Sequence, residues 1–290
     1  MKLLNIVKKI NISALAVSIC LITSSFHVPA LPDPETPVVS SLQKVKLICL
    51  DAGHGGHDSG AKGRKSNEKD IALDVVLKLG KRIEEELPGV KVIYTRTSDT
   101  YPKLYERPAL ANKHKADLFI SVHCNSADQD VRVKNRKGRY VNSVRRNPGV
   151  RGTETLVCGF SKMDDQDVAI RENASILLED NYQENYDGFD PKDPSSYIVF
   201  KLMKRQFRDQ SIRLASYMQN HYVSSSRGNR GVKEQSLAVL RTAGMPAVLT
   251  EIGFISSPDE EDFMLSDEGQ REIVDNLFQS IKTYKNNVEK

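Results

Sequence analysis

Short apolar runs alternate along this chain with longer segments in which apolar residues recur at helical spacing. The alternating strand-like and helical segments are residues 45–50, 69–87, 90–95, 104–114, 118–123, 248–252 and 268–284. Such alternation is typical of domains in which helices connect the parallel strands of one sheet. We therefore expect a single α/β domain with a mostly parallel central β-sheet flanked by helices.

The beginning of the chain has the pattern of a secretory signal peptide. Lys2, Lys8 and Lys9 precede an apolar run at residues 10–21, and small residues around Ala30 offer a cleavage site. The apolar run is shorter than the roughly 20 residues that a membrane-spanning helix needs. We expect residues 1–30 to be removed on export to the periplasm, cell wall or medium, without stable membrane insertion afterwards.

The segment that follows the predicted signal peptide is a predicted linker. Residues 31–43 contain three prolines and no periodicity, so the folded domain is expected at residues 44–285. Removing residues 1–30 takes away three lysines and no acids, which leaves 42 − 3 = 39 basic against 38 acidic residues. Because nucleic-acid binding needs a clear excess of basic charge on one face, no nucleic-acid partner is expected.

The middle of the chain departs from the alternating pattern. Residues 132–151 contain eight basic residues and no acidic one, and they are predicted to form a mobile loop. Residues 164–193 contain ten acidic residues and only two basic ones. Helices are expected at residues 165–178 and 195–223.

The first strand runs directly into a glycine-rich loop that carries His54. In open α/β sheets the loops at the carboxyl ends of the strands form the ligand crevice. Five glycines within thirteen residues allow the backbone to approach a ligand closely there. Such loops also bind phosphates, but neither a Gly-Lys-Ser/Thr ending nor a G-x-G-x-x-G pattern follows.

Two further residues complete a possible metal site. His123 ends the third strand, and Glu68 opens a helix behind Ser66 and Asn67 as possible caps. Taken singly, the histidine is explained as a hydrogen-bonded structural residue and the glutamate as an acid that offsets the helix macrodipole. Taken together with His54, they match the His₂Glu ligand set of catalytic zinc sites, which leave a fourth position for water.

Glu251 is the candidate catalytic carboxylate. It follows the apolar strand residues 247–250, where a buried acid is costly without a partner or a function. Zinc hydrolases need a carboxylate that takes and returns a proton. A salt bridge to a neighbouring lysine or arginine is the alternative explanation.

Several motifs in one order resemble the zinc-dependent N-acetylmuramoyl-L-alanine amidases of the third amidase type, which act in cell division and spore lysis. The motifs are residues 50–56 (LDAGHGG), 67–70 (NEKD), 95–96 (TR), 106–107 (ER), 111–112 (AN), 121–123 (SVH) and 246–256 (PAVLTEIGFIS). The resemblance implies one Zn²⁺ on His54, Glu68 and His123, with Glu251 as catalytic residue. It also implies a substrate, peptidoglycan, cut at the amide between N-acetylmuramic acid and L-alanine.

Some division amidases of this type carry an insertion after the second histidine, in which a helix covers the zinc until an activator protein removes it. The stretch at about residues 128–195 occupies that place, and the resemblance implies a regulatory insert and a division-associated activator. A carboxylate from the insert is a candidate for the fourth zinc position, and Asp164, Asp165, Asp167 and Glu172 remain open choices.

Two alternatives to the amidase remain on the sequence. A zinc peptidase that cuts within the stem peptides uses the same metal and carboxylate chemistry. A non-catalytic wall-binding relative would keep the fold and bind the wall without turnover. The presence of all four expected residues, His54, Glu68, His123 and Glu251, favours an enzyme.

Overall fold

A computed structural model describes residues 44–202 and 206–290. The predicted signal peptide at residues 1–30 and the predicted linker at residues 31–43 lie outside the described residues. None of the helices in the described part is long and apolar enough to cross a membrane.

The described strands form a central sheet of six and a separate hairpin of two. In chain order they are β1 (Leu47–Ala52), β2 (Lys91–Tyr94), β3 (Leu118–Asn125), β4 (Gln129–Lys134), β5 (Tyr140–Arg145), β6 (Thr153–Cys158), β7 (Asn229–Gln235) and β8 (Ala247–Phe254). The order in the central sheet is β2-β1-β3-β8-β6-β7. All neighbouring pairs are parallel except β6 with β8. The prediction of an α/β domain with a mostly parallel sheet is therefore confirmed.

Helices cover both faces of this sheet. They are α1 (Glu68–Glu86), α2 (Glu106–His114), α3 (Asp167–Asn173), α4 (Tyr182–Asn185), α5 (Pro194–Leu202), α6 (Arg208–Ser224), α7 (Ala238–Arg241), α8 (Pro258–Leu265) and α9 (Asp267–Val288). Ile48 and Leu50 of β1 pack in one core with α1, α6 and α9, whereas Cys49 packs in a second core with α2, α3 and α7. Burial on both faces explains why the parallel strands are continuously apolar.

The amphipathic pattern of α1 shows how the sequence specifies a helix. Ile71, Val75, Leu79 and Ile83 recur at helical spacing and are almost completely buried. Burying each such side chain contributes about 1.5–3 kcal/mol. The helix begins at Glu68, but neither candidate cap makes a side-chain capping bond, since the Ser66 hydroxyl donates to Glu261 instead.

The predicted mobile loop at residues 132–151 is wrong. Most of it forms the β4–β5 hairpin, which turns at Gly138 with a φ of 75°. In β4, Val131 and Val133 alternate with Arg132 and Lys134, and this period of two favours a strand. A count of basic residues overlooks that alternation.

Three other parts of the middle also differ from expectation. The helix predicted at residues 165–178 is the shorter α3, flanked by 3-10 turns at Met163–Asp165 and Ala174–Leu178. The helix predicted at residues 195–223 is divided into α5 and α6. Strands β6 and β7 are not among the segments of the predicted alternation, because their polar residues interrupt the apolar run that identifies a buried strand.

A buried ion pair lies beneath the carboxyl ends of the strands. Asp51 of β1 accepts hydrogen bonds from Arg107 of α2 at 2.9 Å and from the hydroxyls of Thr95 and Ser121, each at 2.6 Å. Arg107 also donates to the carbonyl of His54 at 2.9 Å. Although burial alone raises the pKa of a carboxyl group, Arg107 and the two hydroxyls hold the pKa of Asp51 below its ordinary value of 3.8.

We expect Asp51→Asn to lower the free energy of unfolding by roughly 3–5 kcal/mol at neutral pH, because it leaves Arg107 buried without its charge partner. Since the folded-state pKa of Asp51 is depressed, its stabilisation is present above the unfolded pKa and is lost as the pH falls through the folded value. Urea unfolding of wild type and variant should therefore converge below pH 3.8. Asp74→Asn, on an exposed face of α1, is the matched control. Equal stability of the Asp51 variant at pH 7 would contradict this role.

Candidate active site

The loop after β1 presents His54 in an unusual backbone conformation. Its φ is 58°, in the left-handed region that residues other than glycine rarely adopt. The bond from Arg107 to the His54 carbonyl and the bond from the Gly53 amide to the Val122 carbonyl, at 3.1 Å, fix this turn. Backbone strain of this kind concentrates at functional sites, where the surrounding structure maintains it.

The three predicted metal ligands lie together at the carboxyl ends of the strands. His54 Nε2 is 3.1 Å from Glu68 Oε2, and His123 Nδ1 is 2.9 Å from Glu68 Oε1. All three side chains are buried. The backbone amides of Ala61 and Cys124 donate to the two oxygens of Glu68, at 2.8 and 2.9 Å, and hold its carboxylate between the imidazoles.

Glu172 of α3 is the fourth member of this cluster. Its Oε2 lies 3.1 Å from His54 Nε2 and 3.0 Å from His123 Nδ1. The other candidates from the acidic stretch, Asp164, Asp165 and Asp167, line the cleft above the cluster instead. The four ligand atoms lie within 4.8 Å of one another, so the cluster is able to bind a metal ion.

The donor atoms themselves fit a bound cation. His54 Nε2 and Glu172 Oε2 are buried and have no hydrogen-bond partner among the described residues. Buried polar atoms in proteins are normally satisfied, and two such atoms that converge on one point suit coordination of a cation. Two nitrogens and two carboxylate oxygens at these separations match tetrahedral coordination with metal–ligand distances of about 2.0–2.2 Å.

The charges around the cluster also favour a cation. Burial disfavours the charged imidazole, but Glu172 and Glu68 raise the pKa of His123 to about 9. For Glu68, burial alone would raise the pKa, yet His54 and His123 lower it to about 2 despite the repulsion from Glu172. The site thus has a strong preference for positive charge at its centre.

Asp58 orients the first imidazole, and the sequence did not identify it. Its Oδ2 lies 2.8 Å from His54 Nδ1, and its Oδ1 accepts from the Gly60 amide at 3.0 Å. A carboxylate on the second ring nitrogen fixes the tautomer and leaves Nε2 as the metal-facing atom. The feature of the sequence that could have identified Asp58 is its position four residues after His54 in the same glycine-rich loop.

Glu251 lies beside the cluster, on the strand next to His123. The two residues are register partners in the parallel β3–β8 pair, and the Glu251 side chain is completely buried. Its Oε1 is 3.3 Å from Arg171 Nη2, whereas its Oε2 has no hydrogen-bond partner among the described residues. Burial raises the pKa of Glu251 well above its ordinary value, and Glu172 and Glu68 raise it further although Arg171 opposes them.

Arg171 and Glu172 are neighbours on α3 that contact different parts of the site. Arg171 Nε donates to Glu172 Oε1 at 3.0 Å, and its Nη1 donates to the Ser126 carbonyl at 3.1 Å. The salt bridge considered for Glu251 on sequence grounds is therefore present, with an arginine of the acidic stretch.

The other histidines of the described chain lie outside the cluster. His57 stacks on Tyr101 with ring centroids 4.3 Å apart, and His221 of α6 lies 3.3 Å from the Thr283 hydroxyl. His114 is in the last turn of α2.

A cleft of about 1460 Å³ leads to the cluster and lies between the hairpin, α3 and β7.

Comparison with known proteins gives the family. The Amidase_3 family model, described as N-acetylmuramoyl-L-alanine amidase, matches residues 48–283. The Bacillus subtilis protein YqiI is 30% identical over 240 residues, which cover 82% of this chain and 84% of YqiI. The N-acetylmuramoyl-L-alanine amidase AmiC of Escherichia coli is 27% identical over 264 residues, which cover 88% of this chain but 56% of AmiC.

Solved structures agree with the sequence comparison. The N-acetylmuramoyl-L-alanine amidase from Clostridium difficile 630 is similar with a TM-score of 0.57 at 25% identity, covering 83% of this chain and 97% of that chain. The family match extends over far more than half of the chain, and the matched range contains the four residues predicted for the site. The chain therefore belongs to the Amidase_3 family and is an N-acetylmuramoyl-L-alanine amidase, an amide hydrolase of peptidoglycan.

Proposed function

We propose that this amidase holds one zinc ion on His54, Glu68 and His123 and uses Glu251 as its catalytic carboxylate. The observation that carries the proposal is the convergence of buried ligand atoms, among them His54 Nε2 without a hydrogen-bond partner among the described residues. Nitrogen and carboxylate ligands in a tetrahedral arrangement suit zinc. When bound there, a zinc ion would supply Lewis-acid chemistry: it would polarise a carbonyl oxygen and lower the pKa of a water molecule to about 7.

The remaining chemistry belongs to Glu251. Glu251 is in register with His123, so its carboxyl group lies beside the ligand cluster, where the amide of the substrate would bind. A raised pKa suits a group that takes a proton and returns it to the leaving amine, because such a group works best near the operating pH. The bond cut is the amide between N-acetylmuramic acid and L-alanine, and the released peptide begins with L-alanine.

We further propose that the described conformation is an autoinhibited one. With Glu172 beside both imidazoles, the fourth coordination position is taken, whereas catalytic zinc sites keep that position open. Arg171 at the same time pairs with Glu251 at 3.3 Å. One turn of α3 therefore blocks the metal and the catalytic carboxylate together.

Bonds outside the site hold α3 in this position. The Asn173 amide donates to the Ser236 carbonyl at 2.8 Å and its oxygen accepts from the Ala238 amide at 2.9 Å. Farther along, the buried Glu179 accepts from the hydroxyls of Tyr101 and Tyr186 at 3.0 and 2.9 Å. Opening the site requires the loss of these contacts, which supports a regulatory insert within residues 128–195 and an activator protein that displaces it.

The cellular setting is part of the same proposal. A peptidoglycan substrate lies outside the cytoplasmic membrane, which supports export by the predicted signal peptide at residues 1–30 and action in the periplasm or cell wall. Division-associated activators act in that compartment in the family that the motifs resemble. Neither a nucleic acid nor a lasting membrane anchor is needed for this activity.

We expect Glu251→Gln to lower turnover of purified peptidoglycan by at least about a hundredfold while zinc stays bound, because the amide cannot transfer the proton. Mass analysis of the products and metal analysis of the protein measure both effects. Glu268→Gln, exposed on α9, is the control. Normal turnover by the Glu251 variant would refute the catalytic assignment, and products cut between amino acids would indicate a peptidase.

We expect Gly60→Ala to abolish stoichiometric zinc binding. A Cβ at this position would lie 2.6 Å from both Glu68 Oε2 and His54 Cδ2, so the ligand cluster must move apart. Gly89→Ala is the matched control, because Gly89 also has a positive φ, 84°, but nothing within 4 Å of the added atom. Metal content of the purified, folded proteins is the measurement. Full zinc occupancy in the Gly60 variant would argue against the assigned ligands.

We expect Glu172→Ala and Arg171→Ala each to raise basal amidase activity, by roughly 10–100-fold, because each removes a charged hydrogen bond of about 1.5–3 kcal/mol from the closed state. Glu184→Ala, on an exposed position of α4 in the same insert, should leave activity unchanged. Initial rates on purified peptidoglycan are compared at equal zinc content. Unchanged or lower rates in folded, zinc-loaded variants would exclude autoinhibition by α3.

A further inference from the structure

A line of charged side chains continues across the sheet beyond Glu251. In the antiparallel β6–β8 pair, Glu154 is the register partner of Glu251. Opposite residues of such a pair project from the same face of the sheet. Lys233 of β7 is the register partner of Leu156, which lies on the same face of β6 as Glu154. Across the ends of the strands, the order of side chains is therefore the proposed metal ligand His123, the proposed catalytic residue Glu251, Glu154 and the basic residues of β7.

Glu154 is buried and forms salt bridges with two cationic side chains. Its Oε1 accepts from the Asn125 amide, and its Oε2 accepts from Lys233 Nζ and, at 3.4 Å, from Arg230 Nε. Its side chain is 1% exposed, whereas Arg230 and Lys233 are 37% and 39% exposed and line the cleft. Within the described residues, the side-chain hydrogen bonds of both cations go to Glu154 alone. Together, Arg230, Lys233 and Glu154 carry two positive charges and one negative charge, so this group of three has a net charge of +1.

We propose that Arg230 and Lys233 form a subsite for a carboxylate of the peptide that the amidase releases, with Glu154 and Asn125 as positioning residues. This inference rests on the proposed function. Before cleavage the lactyl carboxyl group of N-acetylmuramic acid is tied up in the amide, so the glycan offers no free carboxylate at the cut position, whereas the stem peptide carries several. The cations therefore recognise the peptide side of the substrate.

The spacing agrees with this assignment. β7 is two strands from β8, and neighbouring strands lie about 4.7–4.9 Å apart, so the cations are roughly 10 Å from Glu251 along the row. An extended peptide advances about 3.3–3.6 Å per residue. A carboxylate on the second or third residue of the released peptide therefore reaches Arg230 and Lys233 when the first residue lies beside Glu251.

The closed insert lies next to the same subsite. The Ala169 amide of α3 donates to the side chain of Gln235, the last residue of β7, at 3.0 Å, and Gln235 donates to the Asp165 carbonyl. Asp164, Asp165 and Asp167 line the cleft together with Arg230 and Lys233. Acidic residues of the closed insert thus line the same cleft as the basic subsite, an arrangement that charge complementarity favours.

The test uses soluble glycan-linked stem peptides in two forms. One has a free α-carboxylate on the D-glutamate at the second position, and the other has a carboxamide in its place. We expect the wild-type chain to favour the carboxylate form in kcat/KM by about tenfold or more, through KM rather than kcat, since a charge-assisted hydrogen bond is lost with the amide. Arg230→Gln and Lys233→Gln should each weaken this preference, and the double variant should abolish it.

Arg146→Gln is the matched control, because Arg146 lines the same cleft on the hairpin side and pairs with Asp128. It should keep the wild-type preference. Equal kcat/KM of the wild type on both substrates, or an equal loss on both in the β7 variants, overturns the subsite. If neither the wild type nor Glu172→Ala releases a peptide from either substrate, the proposed function fails and the subsite fails with it. Cleavage of both forms without preference refutes the subsite alone.

Discussion

Repulsion among three buried carboxylates is the constraint on which the site depends. Glu68 and Glu172 face the same two imidazoles, and Glu251 lies on the adjacent strand. Like charges in a poorly solvated interior are stable only with compensating cations. Arg171 supplies one cation, and the imidazoles of His54 and His123 supply positive charge when protonated, which is why their pKa values are raised. In the proposed enzyme a zinc ion would take the place of those protons. The negative charge of the carboxylates that raises the pKa values of the imidazoles would then also stabilise the bound metal.

The fold brings these groups together through its strand order. Parallel pairing places the carboxyl ends of β1, β3 and β8 at one edge, and the register sets His123 beside Glu251. Because β6 runs antiparallel to β8, the amino-terminal part of β6 lies at this same edge and places Glu154 beside Glu251. Beneath them, the Asp51–Arg107 pair connects β1 to α2 and reaches the His54 carbonyl, so the strained turn of His54 is fixed by charge from inside the domain.

Much of this was accessible from the sequence, and the failures have physical reasons. The apolar strands and the helices α1 and α9 are predictable from the sequence, because burial against the sheet determines which of their residues are apolar. Strands β6 and β7 escape prediction because Glu154, Arg230 and Lys233 serve the cleft and interrupt the apolar pattern. His54, Glu68 and His123 were found by their places at strand and helix ends. The choice of Glu172 over its acidic neighbours depends on how α3 docks, and no local pattern encodes that docking.

The position of α3 has a consequence for how the proposed closed state opens. Successive helical residues point about 100° apart, so Arg171 reaches Glu251 and Glu172 reaches the two imidazoles from one turn. The same turn bonds to Gln235 beside the basic residues of β7. Because one helix covers the proposed metal ligands, Glu251 and the approach to the proposed subsite, partial opening at one group would leave the others obstructed. The contacts of Asn173 and Glu179 therefore set the balance between closed and open forms, although neither residue contacts the metal ligands. An activator that competes for these contacts would open all three parts in a single step.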